Sequence, residues 1–188
     1  MRLFNVDGSR AEVSGNGLRA LGALLLHEDQ GANRTITVHT EAGSKQLTRI
    51  GRSGSRQTFR AAMGQPTNLR QVPIAVGDES FNVAVMSMGN PQCVILGALP
   101  DGLRFSQLGA ALEHHQLFPE GTNVEFAEVE KQDRIRILIW ERGVGPTTSS
   151  GTGSCAALVA AAAFGGAAHE ADVIAPGGSQ RVEWRDEG

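Results

Sequence analysis

Two short stretches of the sequence share one pattern, SGNGLRA at residues 14–20 and SGTGSCA at residues 150–156. Both read Ser-Gly-x-Gly-x-x-Ala, and each leads into an apolar run. In the first run, residues 18, 21, 24 and 25 are apolar and repeat with a helical period, whereas the second run is rich in alanine. Such patterns favour helices. The sequence therefore predicts two largely buried helices, with Ser14 as the N-cap of the first.

A pair of such helix starts is suited to binding an anion. A helix N-terminus carries unsatisfied N–H groups and roughly half a positive charge, and glycine lets a ligand approach the backbone closely. If both starts faced one cavity, they would hold a carboxylate, with the Ser14 and Ser150 hydroxyls on its two sides. The same dipoles would stabilise charge that develops when a proton alpha to a carboxylate is removed. The alternative is that both segments are simply capped helices with glycine for tight packing.

The rest of the chain reads as strands interrupted by these helices, which favours an α+β architecture with two related halves. A further helix is predicted over residues 105–115. The Gly-Gln-Pro sequence at residues 64–66 interrupts the chain, and we place a domain boundary there, giving domains 1–66 and 67–188. Strands are predicted at residues 1–5, 35–40, 46–50, 58–63, 72–76, 81–88, 93–96, 124–130, 134–141, 172–175 and 180–184.

Composition excludes several classes of function. The net charge of −3 argues against a nucleic-acid surface, and the locally basic residues 45–60 are explained better by a solvated strand face. No apolar run reaches the roughly 20 residues that a bilayer requires. Two cysteines, Cys93 and Cys155, cannot form a disulfide framework, and the histidines lack metal-ligand spacing. The start of the chain has no signal-peptide layout, so we expect a cytoplasmic protein.

A dinucleotide site is a rival interpretation of the first motif. Residues 15–20 fit the loose Gly-x-Gly-x-x-Ala fingerprint, and Glu41 follows about twenty residues later. However, residues 9–13 are polar and cannot form the buried first strand of a parallel sheet. The order of elements also lacks the βαβαβ alternation, which argues against this interpretation.

Six segments together resemble the diaminopimelate epimerase family. They are FNVDGS at 4–9 leading to SGNGLR at 14–19, MGNPQC at 88–93, FPEGTN at 118–123, ERGVG at 141–145 and SGTG at 150–153. The similarity runs from about residue 3 to residue 184, with the motifs in order. It implies two pseudo-symmetric halves, each a mixed or antiparallel sheet wrapped around a central buried helix, with the first half incomplete.

The resemblance also implies an activity, the epimerisation of LL-diaminopimelate to the meso form in lysine biosynthesis, without pyridoxal cofactor or metal. It suggests a homodimer with a small amino-acid substrate. Ser14 and Ser150 occupy the two catalytic positions. The residues that match substrate-binding positions of the family are Asn5, Gly15, Asn16, Asn90, Asn123, Glu141, Arg142, Gly151 and Thr152.

Three residues depart from the family pattern at the predicted site. Serine replaces thiols at positions 14 and 150, and Gln92 replaces a histidine. Cysteine ionises near pH 8.5, whereas an alcohol is closer to water, at about 15.7. The difference of about seven units corresponds to about 10 kcal/mol for forming the anion. Cys155 cannot substitute, because five positions along a helix turn it about 140° away. The alternative function is therefore a non-catalytic relative that keeps an amino-acid-binding pocket.

Overall fold

A computed structural model describes residues 1–4, 8, 10–31 and 33–185 of the chain. The described residues before residue 63 form two small sheets and one helix. Strands β1 (Leu3–Phe4) and β2 (Arg10–Ala11) pair antiparallel. After helix α1 (Gly15–Leu25) come three strands that form an antiparallel sheet in sequence order. They are β3 (Thr35–Thr40), β4 (Gly43–Ser53) and β5 (Arg56–Ala62).

Helix α1 packs on this sheet through one face only. Leu18 is fully buried, and Gly22 lies so close to β4 that a Cβ there would come 2.3 Å from Leu47 Cδ2. On the opposite face, Leu24 and Leu25 are 72% and 59% exposed. The sequence predicted a largely buried helix, and that prediction is wrong for this face. A three-stranded sheet can cover only one side of a helix.

The chain from residue 67 onward forms one eight-stranded mixed sheet, in the order β13-β12-β10-β9-β8-β7-β6, with β11 paired to β10. Parallel pairing occurs between β8 and β9 and between β10 and β12. A helix connects the two strands of each parallel pair, α2 in the first case and α3 in the second, as such crossovers require. The elements are β6 (Thr67–Val76), β7 (Glu79–Ser87), β8 (Pro91–Leu96), α2 (Gly102–Glu113), β9 (Asn123–Lys131), β10 (Arg134–Glu141), β11 (Gly145–Thr147), α3 (Gly151–Phe164), β12 (Glu170–Ala175) and β13 (Gly178–Glu183).

The two helices cover opposite faces of this sheet. On one face lies α3, where residues 156–161 are all buried against strands that include Ile135, Ile137 and Ile139 of β10. Alanine side chains allow the strands to approach the helix closely on several sides. On the other face, Leu108 and Leu112 of α2 pack with Phe126 and the hydrophobic residues around it. Strand β10 therefore alternates between two apolar cores.

The change of sheet falls between Ala62 and Thr67, next to the proposed boundary at residue 66. The connecting segment is attached to the tail of the chain, because Trp184 Nε1 donates to Gln65 Oε1 at 3.0 Å. Among the described residues, no helix has the length and apolar character needed to cross a bilayer. Within the described part of the chain, the strands and helices predicted from the sequence are present, with most ends shifted by a few residues. The short strands β2 and β11 were not predicted.

Candidate active site

The starts of α1 and α3 meet in the folded protein. A Cβ built on Gly15 would lie 2.7 Å from Gly151 Cα, and one built on Gly151 would lie 2.9 Å from Gly15 Cα. Side chains do not tolerate such distances, so the first glycine of each motif is required by the contact between the two backbones. The two motifs, 136 positions apart by their numbers, therefore form one structural unit.

Both serines cap their helices in the same way. Ser14 Oγ accepts a hydrogen bond from Gly17 N at 3.1 Å, and Ser150 Oγ accepts one from Gly153 N at 3.1 Å. Both residues have the extended backbone that N-caps adopt. The prediction of Ser14 as an N-cap is confirmed. Each cap uses the serine oxygen as an acceptor and does not use the hydroxyl proton. The hydroxyl can therefore still donate a hydrogen bond to another group.

A cavity of about 80 Å³ opens where the two helix starts meet. Nine of the predicted site residues line it. They are Ser14, Gly15 and Asn16 from the start of α1, Asn123, Glu141 and Arg142 from the ends of strands, and Ser150, Gly151 and Thr152 from the start of α3. The volume is far below the roughly 300 Å³ at the lower end of drug-sized sites. It suits one small molecule or one end of it.

Asn90 and Asn5 are the remaining predicted site residues. Asn90 is buried behind the cavity wall, where its Nδ2 donates to Thr152 Oγ1 at 3.4 Å. Asn5 lies outside the described residues. Asn16 also connects the two helix starts, since its Nδ2 donates to the Ser149 carbonyl oxygen at 2.8 Å.

Arg142 brings positive charge to the cavity and is fixed by contacts from both parts of the chain. Its NH2 group donates to Glu12 Oε2 at 2.6 Å, and its backbone N donates to Asn123 Oδ1 at 3.0 Å. Sequence reasoning missed Glu12. Its position two residues before Ser14 was the available signal, but a charged residue in a loop does not indicate its partner.

Glu141 is the carboxyl group of the cavity wall that lies next to Ser150. Burial raises the pKa of Glu141, and the neighbouring hydroxyls of Ser150 and Thr147 lower it in part. A carboxyl group with a raised pKa is a better proton acceptor when ionised. Ser150 therefore has a base beside it.

A second carboxyl group, that of Glu125 on β9, lies fully buried behind the start of α3. Burial raises the pKa of Glu125 well above its ordinary value, and the charge of Glu141 acts in the same direction. Sequence reasoning missed this residue, because a glutamate within a strand more often faces solvent. The continuous burial of residues 123–127 became visible only in the fold.

The two cysteines do not line the cavity. Burial raises the pKa of the Cys93 thiol far above its ordinary range and that of Cys155 to about 11. Both thiols are therefore protonated near neutral pH.

The fold is that of amino-acid racemases and epimerases. A probable proline racemase from Agrobacterium radiobacter K84 superposes with a TM-score of 0.75 at 19% identity, covering 95% of this chain and 60% of that one. A hydroxyproline epimerase from Agrobacterium vitis gives a TM-score of 0.77 at 16% identity, with 95% and 59% covered. The chain thus spans about 60% of the length of these two structures.

Sequence relatives define the family. A model of the family described as diaminopimelate epimerase matches residues 84–188. The diaminopimelate epimerase of Synechococcus elongatus is 37% identical over 199 residues, covering 100% of this chain and 71% of the relative. That of Desulforudis audaxviator is 39% identical over 200 residues, covering 100% and 72%. The chain belongs to the diaminopimelate epimerase family, and hence to a family of isomerases.

Proposed function

We propose that this chain binds an amino acid of the diaminopimelate type and exchanges the proton on its alpha carbon without a cofactor. The observation that carries the proposal is the contact between Gly15 and Gly151, which brings two capped helix starts to one small cavity. Backbone N–H groups at both starts are suited to the substrate carboxylate. Arg142 is suited to a second carboxylate, and the amide of Asn16 to a polar group of the ligand.

In this proposal the Ser14 and Ser150 hydroxyls face the alpha carbon from opposite sides. The alpha C–H bond breaks as its proton passes to the group on one face, and a proton returns from the other face. At Ser150 the final proton acceptor is Glu141, which lies beside it. The N–H groups of the helix starts stabilise the negative charge that develops on the substrate.

The rate is expected to be low, because a serine hydroxyl is a far weaker acid than a thiol. The difference of about 10 kcal/mol applies in full only where no base assists the hydroxyl. Ser150 has Glu141 as a neighbour, so we expect exchange to proceed mainly through Ser150.

The second candidate function is amino-acid binding without catalysis. It is favoured by the capping role of both serines, whose oxygens already accept backbone hydrogen bonds. A hydroxyl in this role donates well to a bound carboxylate but gains no basicity. The two candidates share the same ligand and differ only in proton exchange.

Incubation with LL-diaminopimelate in deuterium oxide separates these functions. Incorporation of deuterium at the alpha carbon, followed by NMR, supports catalysis. Binding in calorimetry without incorporation supports the second candidate. Absence of both binding and exchange contradicts the proposal as a whole.

Restoring the thiols is the sharper test. The double variant S14C/S150C should exchange the alpha hydrogen faster than the wild type, since thiols ionise near pH 8.5. The matched control is S53C/S179C, which makes the same change at two exposed serines. If S14C/S150C binds the ligand but gains no exchange over this control, the two serines do not occupy catalytic positions.

The proposal extends to the setting of the reaction, namely lysine biosynthesis in the cytoplasm by a homodimer. The names of the relatives support the pathway. The exposed Leu24 and Leu25 of α1 support association, because a second copy would cover them. Sedimentation of the purified chain measures the oligomeric state, and a monomer at all concentrations contradicts this part.

A further inference from the structure

Glu125 is a buried carboxyl group for which the proposed reaction has no role. It projects from β9 towards the start of α3, and a Cβ at Gly153 would come 2.5 Å from its Oε1 atom. The second glycine of the SGTG motif therefore leaves space for this carboxyl group. The charged and titratable groups that bear on it are Glu141 on β10 and the thiol of Cys93 on β8.

The Gln92 amide connects Glu125 to Asn90. One terminal atom of this amide lies 3.0 Å from Glu125 Oε1 and 3.2 Å from Oε2, and the other lies 2.7 Å from Asn90 Oδ1. Because the nitrogen and oxygen of an amide are assigned from their hydrogen bonds, two arrangements must be compared. Asn123 Nδ2 donates to the Pro91 carbonyl oxygen at 3.0 Å in both, and it also lies 3.3 Å from the Gln92 atom that faces Asn90.

The two arrangements imply different protonation of Glu125. With the Gln92 nitrogen towards Glu125, the carboxylate accepts, but the Gln92 oxygen then faces Asn90 Oδ1 unless Asn90 turns as well. With the Gln92 oxygen towards Glu125, the Gln92 nitrogen donates to Asn90 Oδ1 at 2.7 Å. This second arrangement requires that Glu125 carry a proton, which it donates to Gln92, and it leaves the Gln92 nitrogen 3.3 Å from Asn123 Nδ2 with no hydrogen bond between these two donors.

Burial favours the arrangement with the proton. Glu125 is 0% exposed, and an isolated carboxylate in such a place loses its hydration without a compensating positive charge. The N-terminus of α3 favours negative charge, but Glu141 opposes it, and burial is the largest influence on the pKa of Glu125. The neutral acid is therefore the favoured form.

From Gln92 the hydrogen bonds continue in one direction to the cavity. Asn90 Nδ2 donates to Thr152 Oγ1 at 3.4 Å, and Thr152 Oγ1 lies 3.4 Å from Ser150 Oγ, to which it donates in this direction. Ser150 Oγ also accepts from Gly153 N at 3.1 Å, so its own proton is directed to the neighbouring Glu141. The two 3.4 Å contacts are longer than the other hydrogen bonds of this series.

We propose that Glu125 is a neutral carboxylic acid and a positioning residue, whose proton sets the direction of a hydrogen-bonded chain through Gln92, Asn90 and Thr152 that orients the Ser150 hydroxyl towards Glu141. The significance of this orientation for catalysis rests on the proposed function. The protonation of Glu125 and the direction of these hydrogen bonds do not rest on the proposed function. The chain also gives Gln92 a role that does not require a histidine at this position.

Carbon-13 NMR of the labelled protein tests the proton directly. The resonance of the Glu125 carboxyl carbon is assigned by sequential assignment of the backbone and side chains, and its loss in E125Q checks that assignment. It should keep the chemical shift of a protonated acid between about pH 5 and about pH 8. Glu79 is the internal control, because its hydrogen bond with Arg104 lowers its pKa and it should be ionised throughout. A carboxylate shift for Glu125 at pH 7 overturns the proposal.

Paired variants test the chain itself. In E125Q the new amide can still donate to Gln92, so the side-chain amide resonances of Asn90 should stay in place. In E125L the donor is lost, and the resonances of Gln92 and Asn90 should both shift. E128L makes the same change on the outer part of β9 and controls for an effect on the strand. If E125L leaves the Asn90 side-chain amide resonances unchanged in the folded protein, the proposed series of hydrogen bonds from Glu125 to Ser150 does not exist.

Exchange of the substrate alpha hydrogen tests the positioning role. E125L should lower the exchange rate by about 10- to 100-fold with little change in ligand affinity, as a small misplacement of a reacting group does. E125Q should restore most of that loss. An equal loss in both variants contradicts the role in positioning. If the wild type shows no exchange at all, the proposed function fails, while the NMR measurements still decide the state of Glu125.

Discussion

The starts of α1 and α3 carry the same motif in different surroundings. In each, the serine Oγ accepts a hydrogen bond from the backbone N–H three residues later. Each also has a glycine in contact with the other helix. Ser150, however, is 4% exposed and has hydroxyl and carboxyl neighbours, whereas Ser14 belongs to a helix with one face uncovered. The comparison teaches that a capping motif defines local geometry, while the chemistry of its hydroxyl depends on what surrounds it.

The largest expected difference between the two helices is in packing. Leu158 of α3 is fully buried, and Leu24 of α1 is 72% exposed. L158A should therefore lower the free energy of unfolding by about 2–5 kcal/mol, and L24A should change it by less than about 0.5 kcal/mol. Urea denaturation followed by circular dichroism measures both. Similar losses would mean that α1 is covered in solution, for instance by a second copy.

The contact between the helix starts should be nearly as sensitive. G15A and G151A each add a Cβ within 3 Å of the other backbone, which should cost about 1–3 kcal/mol of stability. Ligand affinity should fall as well, because the two starts can no longer share one cavity. G102A at the start of α2 is the control, since no atom lies within 4 Å of its new Cβ. If calorimetry shows unchanged ligand affinity in G15A and G151A, ligand binding does not depend on the contact between the two helix starts.

The buried carboxyl group of Glu125 should make the stability of the protein depend on pH. The pKa of Glu125 is raised in the folded state, so the folded protein binds a proton that the unfolded chain releases near pH 4.5. Above that pH, stability relative to E125Q should fall as pH rises, by up to about 1.4 kcal/mol per unit, until the folded pKa is reached. Denaturation of both proteins at several pH values measures this. If the difference in unfolding free energy between the wild type and E125Q stays constant from about pH 4 to about pH 8, Glu125 is ionised in the folded protein.

The smallest expected effects come from the two caps. S14A and S150A each remove one cap and should cost about 1 kcal/mol of stability. Their effects on alpha-hydrogen exchange should differ, with the larger loss in S150A, because Glu141 lies beside Ser150. Thermal denaturation and exchange in deuterium oxide measure the two effects. Equal losses of exchange would show that the surroundings of Ser150 add nothing to its chemistry.

Much of the fold could be predicted because its signals are local. The alternation of β10, with Ile135, Ile137 and Ile139 on one side, and the alanine-rich α3 both follow from residues adjacent in sequence. The exposed face of α1 was not predictable, since apolar residues on both faces indicate burial unless the covering element is known. The three residues of β11 carry too short a pattern to be recognised.

Part of the candidate site followed from the same local signals, helped by the family resemblance. The polar residues around Ser14 and Ser150 were identified from two motifs, and nine of the predicted positions line one cavity. Glu12 and Glu125 were missed, since each acquires its role from a residue far along the chain. Glu12 pairs with Arg142, and Glu125 lies behind Gly153.

By itself the sequence determined the paired motifs, the two serine caps and the glycines that allow backbones to touch. These depend on atoms within three residues of each other, so they form wherever the helix forms. Only the tertiary structure decided that Gly15 meets Gly151, that the Ser150 hydroxyl has Glu141 as a neighbour, and that Glu125 is shielded from water. Burial and charge at these positions depend on strands that are distant in sequence, and a local pattern carries no information about them.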